Sequence, residues 1–361
     1  MLSYFSKDHP LFKPLAGLIS GLVIVIFGLG LYSYSLFFGA GPNTADNKPR
    51  EVYFPAGSSV SAIGKALKKS GAIRSDLAFK IMAKLSGQER RFQSGTYLIP
   101  SGASLPVVVK MIAEGKVLQL TITLPEGRSA VQAVKILMAN KDLSGELVMP
   151  EEGSLLPETY TYQRGEARQA VMDRMKDAGT KALDELWESR APDLPIKNKY
   201  EALILASVIE KETGINDERE RVAAVFVNRL RKGMRLESDP TVIYPITRGE
   251  PLGRGIRRSE LDNETPWNTY KIFGLPKTPI TNPGKAAIKA TLNPAKTDEY
   301  FFVADGTGGH IFAKTYEEHL MNVAQWRQIE RAEKSNNSQF SESSSSADSA
   351  QIMPHTRSTP F

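Results

Sequence analysis

Cysteine is absent from this 361-residue chain. Disulfides, thiol catalysis and thiolate metal sites are thereby excluded, and the absence is compatible with an oxidising compartment. Histidine is nearly as scarce, with only His9, His310, His319 and His355. His310 and His319 lack the spacing of metal ligands and the other two lie near the ends, so no metal is expected. No Gly-rich, Lys-terminated phosphate loop occurs, and no cofactor is expected. The net charge of +6 is spread along the chain. Without the dense basic clusters that track a phosphate backbone, nucleic acid is not an expected partner.

Long apolar runs are missing too, with one exception. Leu15 to Gly39 holds no charged residue, is rich in Leu, Ile, Val, Phe and Gly, and carries Tyr32 and Tyr34 near its end. Such a run is long enough to cross a bilayer as a helix, and aromatics are common at the interface. Ala40-Gly41 is a poor cleavage site, which favours an uncleaved anchor. Lys7 and Lys13 before the run balance Lys48 and Arg50 after it, so charge gives almost no orientation. A short N-terminal tail ahead of a long C-terminal bulk favours a cytoplasmic N-terminus and an exported bulk.

The expected class is α+β: a single N-terminal transmembrane helix, a small α+β module and a larger α+β domain. The boundaries read as a tail over 1–14, the span over 15–39, a polar linker over 40–50, the module over 51–115, the large domain over 116–332, and a Ser/Asn-rich disordered tail over 333–361. A repeat joins the two folded parts. Val52-Tyr53-Phe54-Pro55-Ala56-Gly57-Ser58-Ser59 is echoed seventy residues on by Ile122-Thr123-Leu124-Pro125-Glu126-Gly127-Arg128-Ser129. Each copy reads as a strand, a Pro-X-Gly turn and a Ser that caps a helix. The module continues as helix over 76–85, strand over 92–99 and a helix capped by Ser104. In the large domain, helices are expected over 167–188 and 199–213, a hairpin over 300–312, and a closing helix bearing Leu320, Val323 and Trp326. Asp217 and Glu220 have capping-box spacing, and Glu237 to Tyr244 reads as a turn into a β-prone segment.

The candidate chemistry begins where Ala202-Leu203-Ile204-Leu205-Ala206-Ser207-Val208-Ile209 runs into Glu210. Burial disfavours a charged carboxyl, and a Glu kept protonated near neutrality can give a proton to a leaving group. On a helix Glu210 shares a stripe with Leu203, Ala206 and Ser207, while Glu212 points nearly the opposite way. The local pattern thus offers one special carboxylate, not a pair; Asp239 and Glu212 are the acids that could approach it in space. The plainer reading is that Glu210 marks where a core helix surfaces, and periodicity alone favours that one. Asn228 sits among apolar neighbours and needs hydrogen-bond partners. Asn, Asp, Tyr and Trp in the segments that follow suit a sugar, whose rings stack on aromatic faces.

These segments carry a resemblance. Ala206 to Thr213 (ASVIEKET), Val225 to Leu230 (VFVNRL) and Leu236 to Tyr244 (LESDPTVIY) look like the signature of the endolytic murein transglycosylase (YceG-like) family. The similarity extends to Leu156–Tyr160, Glu264–Tyr270, Gly274-Leu275-Pro276, Asn282-Pro283-Gly284, Phe302–Gly306 and Gly309-His310, in the family's order. Arg128 stands where the family tends to have an aromatic residue, and Glu158 where Asp is usual. The resemblance implies a single-pass inner-membrane enzyme with periplasmic C-terminal domains. It would cut peptidoglycan strands between N-acetylmuramic acid and N-acetylglucosamine and so end glycan elongation. Glu210 matches the family's catalytic glutamate. Glu212, Asn228, Asp239, Tyr244, Asn268 and Tyr270 are the candidate substrate-binding residues. The small module resembles a LysM-like domain, and cell-wall synthases (penicillin-binding proteins) are the implied partners beside the glycan. Two alternatives stay open: an anchored glycan-binding scaffold without catalysis, and a peptidoglycan hydrolase, which needs a second carboxylate.

Overall fold

The computed structural model describes residues 12–331, so the short N-terminal tail in part, His9, His355 and the Ser/Asn-rich tail fall outside the described residues. Helix α1 (Phe12–Phe38) contains the apolar run. Over Gly17–Phe38 its mean hydropathy is 2.0 and none of the span is buried inside the protein, as expected of a helix with lipid for its solvent.

The chain divides into two compact units. The first takes the described residues up to Ile122 together with Lys141–Ser144 and Thr161–Ala167. Its strands β1 (Arg50–Phe54) and β2 (Gly95–Ile99) pair antiparallel, with Val52 opposite Tyr97 and Phe54 opposite Gly95. Helices α2 (Val60–Lys69), α3 (Asp76–Leu85) and α4 (Leu105–Ala113) complete the unit. Alternation along the strands turns Val52, Phe54, Tyr97 and Ile99 onto Leu67, Phe79, Val108 and Ile112, all buried in one core. Ser59 and Ser75 cap their helices through the side-chain oxygen. Ser104 stands at the N-cap of α4 without making that bond, so only its position was foreseen.

The second unit takes Thr123–Asn140, Gly145–Tyr160 and the described residues from Arg168 on. Strand β3 (Leu120–Thr123) pairs with β4 (Thr159–Tyr162), and β5 (Phe301–Ala304) with β6 (His310–Ala313) as the expected hairpin. The helices are α5 (Ala130–Ala139), α6 (Arg168–Glu188), α7 (Lys199–Glu212), α8 (Asn216–Arg231), α9 (Asp239–Thr247), the short α10 (Arg258–Asp262) and α11 (Lys285–Leu292). Residues 316–331 are helical, with Val323 and Trp326 partly buried and Leu320 exposed.

Helix α7 lies at the centre. It is buried on every side from Ile204 to Ile209, the property of a helix enclosed by others. Val222, Ala223, Phe226 and Val227 of α8 and Ile288 and Leu292 of α11 share its core. Phe226 meets Phe302 of β5 edge to face, centroids 5.8 Å apart.

The repeat is reproduced in detail. Gly57 and Gly127 both take positive φ, 78° and 70°, which is why the turn needs glycine. Ser59 and Ser129 cap helices of equal length, and Ser129 forms a full capping box with Gln132.

Two local expectations fail. Helix α8 starts at Asn216 with Ile215 at its N-cap, so Asp217 and Glu220 form no capping box. Thr213 takes over there: its hydroxyl accepts from the Ile215 N–H at 3.0 Å and donates to Glu218 at 2.6 Å. The β-prone segment is helix α9. In the segment Glu237 to Tyr244, Asp239 and Pro240 in the first turn of α9 favour a helix start, and this outweighs the strand preference of Val242, Ile243 and Tyr244.

Candidate active site

Glu210 emerges from the last turn of α7, partly buried. Its Oε2 accepts from the backbone N–H of Gly284 at 3.0 Å, and Gly284 is the N-cap of α11. Burial raises the Glu210 pKa above its ordinary value. The Gly284 N–H opposes the rise, the charge of Glu126 adds to it, and Arg219 and Lys211 oppose it. Arg219 is itself buried and bound to Asn216, with its Nε unpartnered among the described residues.

Glu126 is the acid the sequence reading passed over. It stands in the Pro125-Glu126-Gly127 turn before α5, exposed, and its carboxylate lies on Gly284. A Cβ at position 284 would overlap Glu126 Oε1. Gly284 has an ordinary φ of −74°, so its missing side chain matters there only for the room it leaves the Glu126 carboxylate. Asn282 ties the two segments together. Its N–H and side-chain amide donate to Arg128 O at 3.0 and 2.8 Å, and its Oδ1 accepts from Leu155 N–H at 3.0 Å. The N–H of Gly127 donates to Asn282 O at 3.3 Å. Two residues earlier, the Ile280 N–H donates to buried Ser207 Oγ at 3.0 Å, docking this segment on α7.

A cavity of about 530 Å³ opens beside this pair, lined by Glu126, Gly127, Arg128, Lys211, Pro240, Ile243, Tyr244, Leu252 and Ile280 among others. Tyr244 is thus the candidate substrate-binding residue that faces it. Its hydroxyl donates to Glu152 at 3.0 Å, and Glu152 also accepts from the first N–H of α5 at 2.8 Å. Burial raises the Glu152 pKa. Trp267 lies 6.0 Å from the Tyr244 ring, and Arg248 covers both.

The other candidates fall elsewhere. Asp239 accepts from the Tyr270 hydroxyl at 2.6 Å. Asn228 spends its amide on Thr297 O and Glu299 O, at 2.9 and 3.0 Å, which supplies the partners its place demanded. Asn268 is buried, donates to Leu261 O and Asn263 O, and accepts from Tyr270 N–H. Both amides therefore hold backbone in place. Glu212 accepts from Ser238 Oγ on the far side of α7 from Glu210. His310 Nδ1 lies 2.7 Å from Glu218.

Glu212 yields a pH prediction. Burial pushes its pKa up to about 7 from an ordinary 4.5, with Asp239 adding and Ser238, His310 and Arg229 opposing. The folded state therefore holds the proton more tightly than the unfolded chain. Stability from this group is full below the ordinary value and is lost as pH rises to about 7. Glu212→Gln is expected to remove that loss, gaining about 3 kcal/mol over wild type at mildly alkaline pH and little in acid. Melting curves of both proteins across this range test it; a difference that does not grow with pH would sink it.

Against this geometry stand the known proteins. Residues 52–325 match the YceG-like family. The chain belongs to that family. An endolytic murein transglycosylase of Bacillus subtilis (strain 168) is 30% identical over 332 residues, spanning 82% of this chain and 89% of the relative. Its namesake from Streptococcus pneumoniae (strain D39) is 34% identical over 181 residues, 48% of this chain and 32% of that protein. A crystal structure of a YceG-like protein from Listeria monocytogenes is 28% identical, covers 77% of this chain and 99% of that one, and superposes with a TM-score of 0.46.

Proposed function

We propose that the protein is a membrane-anchored endolytic peptidoglycan lytic transglycosylase with Glu210 as its catalytic acid/base. The observation that carries this reading is a carboxyl with a raised pKa, fixed by a backbone N–H, whose neighbours Glu126 and Lys211 line a cavity together with Tyr244 and Ile243. Kinship to proteins named endolytic murein transglycosylase supplies the substrate class. Glu210 gives its proton to the glycosidic oxygen between N-acetylmuramic acid and N-acetylglucosamine as that bond breaks and positive charge develops at C1. The resulting carboxylate then takes the proton of the muramyl C6 hydroxyl as O6 closes onto C1. The proton count returns to its start and the product ends in 1,6-anhydro-muramic acid.

Tyr244 is assigned a substrate contact in the cavity. Asp239, bound to Tyr270, precedes the lining residue Pro240, while Glu212, Asn228 and Asn268 hold structure elsewhere in the unit. The unit bearing β1 and β2 is read as a LysM-like module over 51–115 that holds glycan, ahead of a catalytic domain over 116–332. A cavity of about 430 Å³ between the Pro55–Ser58 turn and Phe92–Ser94 supports that role. The anchor is read as single-pass in the inner membrane, with a cytoplasmic N-terminus and periplasmic domains that act on nascent strands beside cell-wall synthases.

Glu126 favours a second reading, hydrolysis, because two carboxyls can share acid and base work with water as the acceptor. Product ends separate the two. Mass spectrometry of purified peptidoglycan after incubation with the full chain is expected to show anhydro-muramyl ends. Reducing ends would select the hydrolase, and no new ends with glycan binding retained would select a scaffold.

A further inference from the structure

The Pro-X-Gly turn occurs twice, and only one copy carries an acid. Ala56 in the first turn is Glu126 in the second, with the same positive-φ glycine after it and the same serine cap beyond. The first copy shows that this turn and its helix form with alanine at the middle position. The acid is therefore not needed for the turn. Its carboxylate instead lies on Gly284, the residue whose N–H holds Glu210, and the missing Cβ is what admits it. Three segments distant in sequence converge there, and Asn282 fixes two of them.

We infer that Glu126 is a positioning residue for Glu210: a second carboxylate whose negative charge keeps the proton on Glu210 until the leaving oxygen takes it. The inference rests on the reading of Glu210 as the acid. The Glu126 charge adds to the rise that burial gives the Glu210 pKa, against the Gly284 N–H at a helix N-terminus, where a negative charge is favoured. The groups bearing on Glu210 are Glu126 from the turn, Arg219 from α8, Lys211 from its own helix and the Gly284 N–H from α11. Lys285, next along α11, is engaged by Glu158 at 3.2 Å, and Arg128 beside Glu126 is exposed. With two cations and a backbone dipole all favouring the ionised form, Glu126 is the one neighbouring side-chain charge among them that favours the neutral acid.

The sign follows directly. A general acid loses activity as pH rises through its pKa, so removing the Glu126 charge moves the alkaline limb to lower pH. Glu126→Ala, which restores the residues of the sister turn, and the isosteric Glu126→Gln are both expected to do so. Activity should drop about three- to tenfold on the alkaline limb and less than about twofold in acid. The direct readout is the carboxyl ¹³C titration of Glu210 in the full-length protein in detergent, assigned by the signal lost in Glu210→Gln. Its midpoint should move to lower pH in both Glu126 variants. An unmoved or raised midpoint overturns the inference, as does an equal loss of activity at every pH, which would make Glu126 a direct participant. If the wild type makes no product, the proposed function falls, while the titration still decides the role of Glu126.

Discussion

Glu210→Gln is expected to lower the rate of strand cleavage by about 10²–10⁴-fold, the usual contribution of general acid catalysis. The fold should survive. Gln keeps the shape of Glu and an oxygen for the Gly284 N–H, the one hydrogen bond described at this side chain. It also removes a group whose charge is disfavoured by burial and by Glu126. Because the folded-state pKa of Glu210 is raised, its contribution to stability is full in acid and is lost as pH rises above the ordinary carboxyl range. The variant should therefore melt no lower than wild type near neutrality, and higher in base. Circular dichroism across pH, beside muropeptide mass spectrometry, reads both halves. An inactive but unfolded variant would mean that Glu210 marks only the end of a core helix, and an active one would move the acid elsewhere.

The parts of this site that were legible in the sequence are those built from local spacing. The unbroken apolar run before Glu210 requires a helix enclosed on all sides, and α7 is such a helix. The two Pro-X-Gly turns fixed their glycines and serine caps because both depend on neighbours within a few residues. What escaped is long-range. Glu126 lies 84 residues before Glu210, and its approach is set by Asn282 and by the missing side chain of Gly284. One signal was present: the turn gains an acid between its two copies, a difference that turn chemistry does not require. Asp239 and Glu212, the acids named as able to approach Glu210 in space, are instead engaged by Tyr270 and Ser238. Helix α9 was misread because strand propensity was weighed over the proline and acid at its start, and its Ile243 and Tyr244 line the cavity as part of a helix.

Arg229→Ala is expected to cost about 3 kcal/mol, the loss expected when buried carbonyls on two segments lose their shared donor. The guanidinium is nearly sealed, with 9% of the side chain exposed. Its Nε donates to Tyr300 O at 2.6 Å, and its Nη1 donates to Arg235 O, Leu236 O and Glu237 at 3.0–3.1 Å. It also stacks over Phe301 at 5.1 Å. The ion pair itself adds little, since Glu237 is 46% exposed and water screens it. The loss comes from the carbonyls, which lie on two separate segments and would be left without this donor. One segment enters the β5–β6 hairpin; the other leads through Ser238 into α9 and the cavity wall. In a unit of this size the loss corresponds to a melting temperature lower by about 6–12 °C. Arg229→Lys should recover less than half of it, because a single ammonium cannot replace a planar fork that reaches both segments. Denaturant unfolding of the three proteins measures the differences. A cost below about 1 kcal/mol for the alanine variant would show that the two segments hold each other without the arginine. A full cost with cleavage unchanged just below the melting point would show that the clamp serves the hairpin and leaves the cavity wall alone.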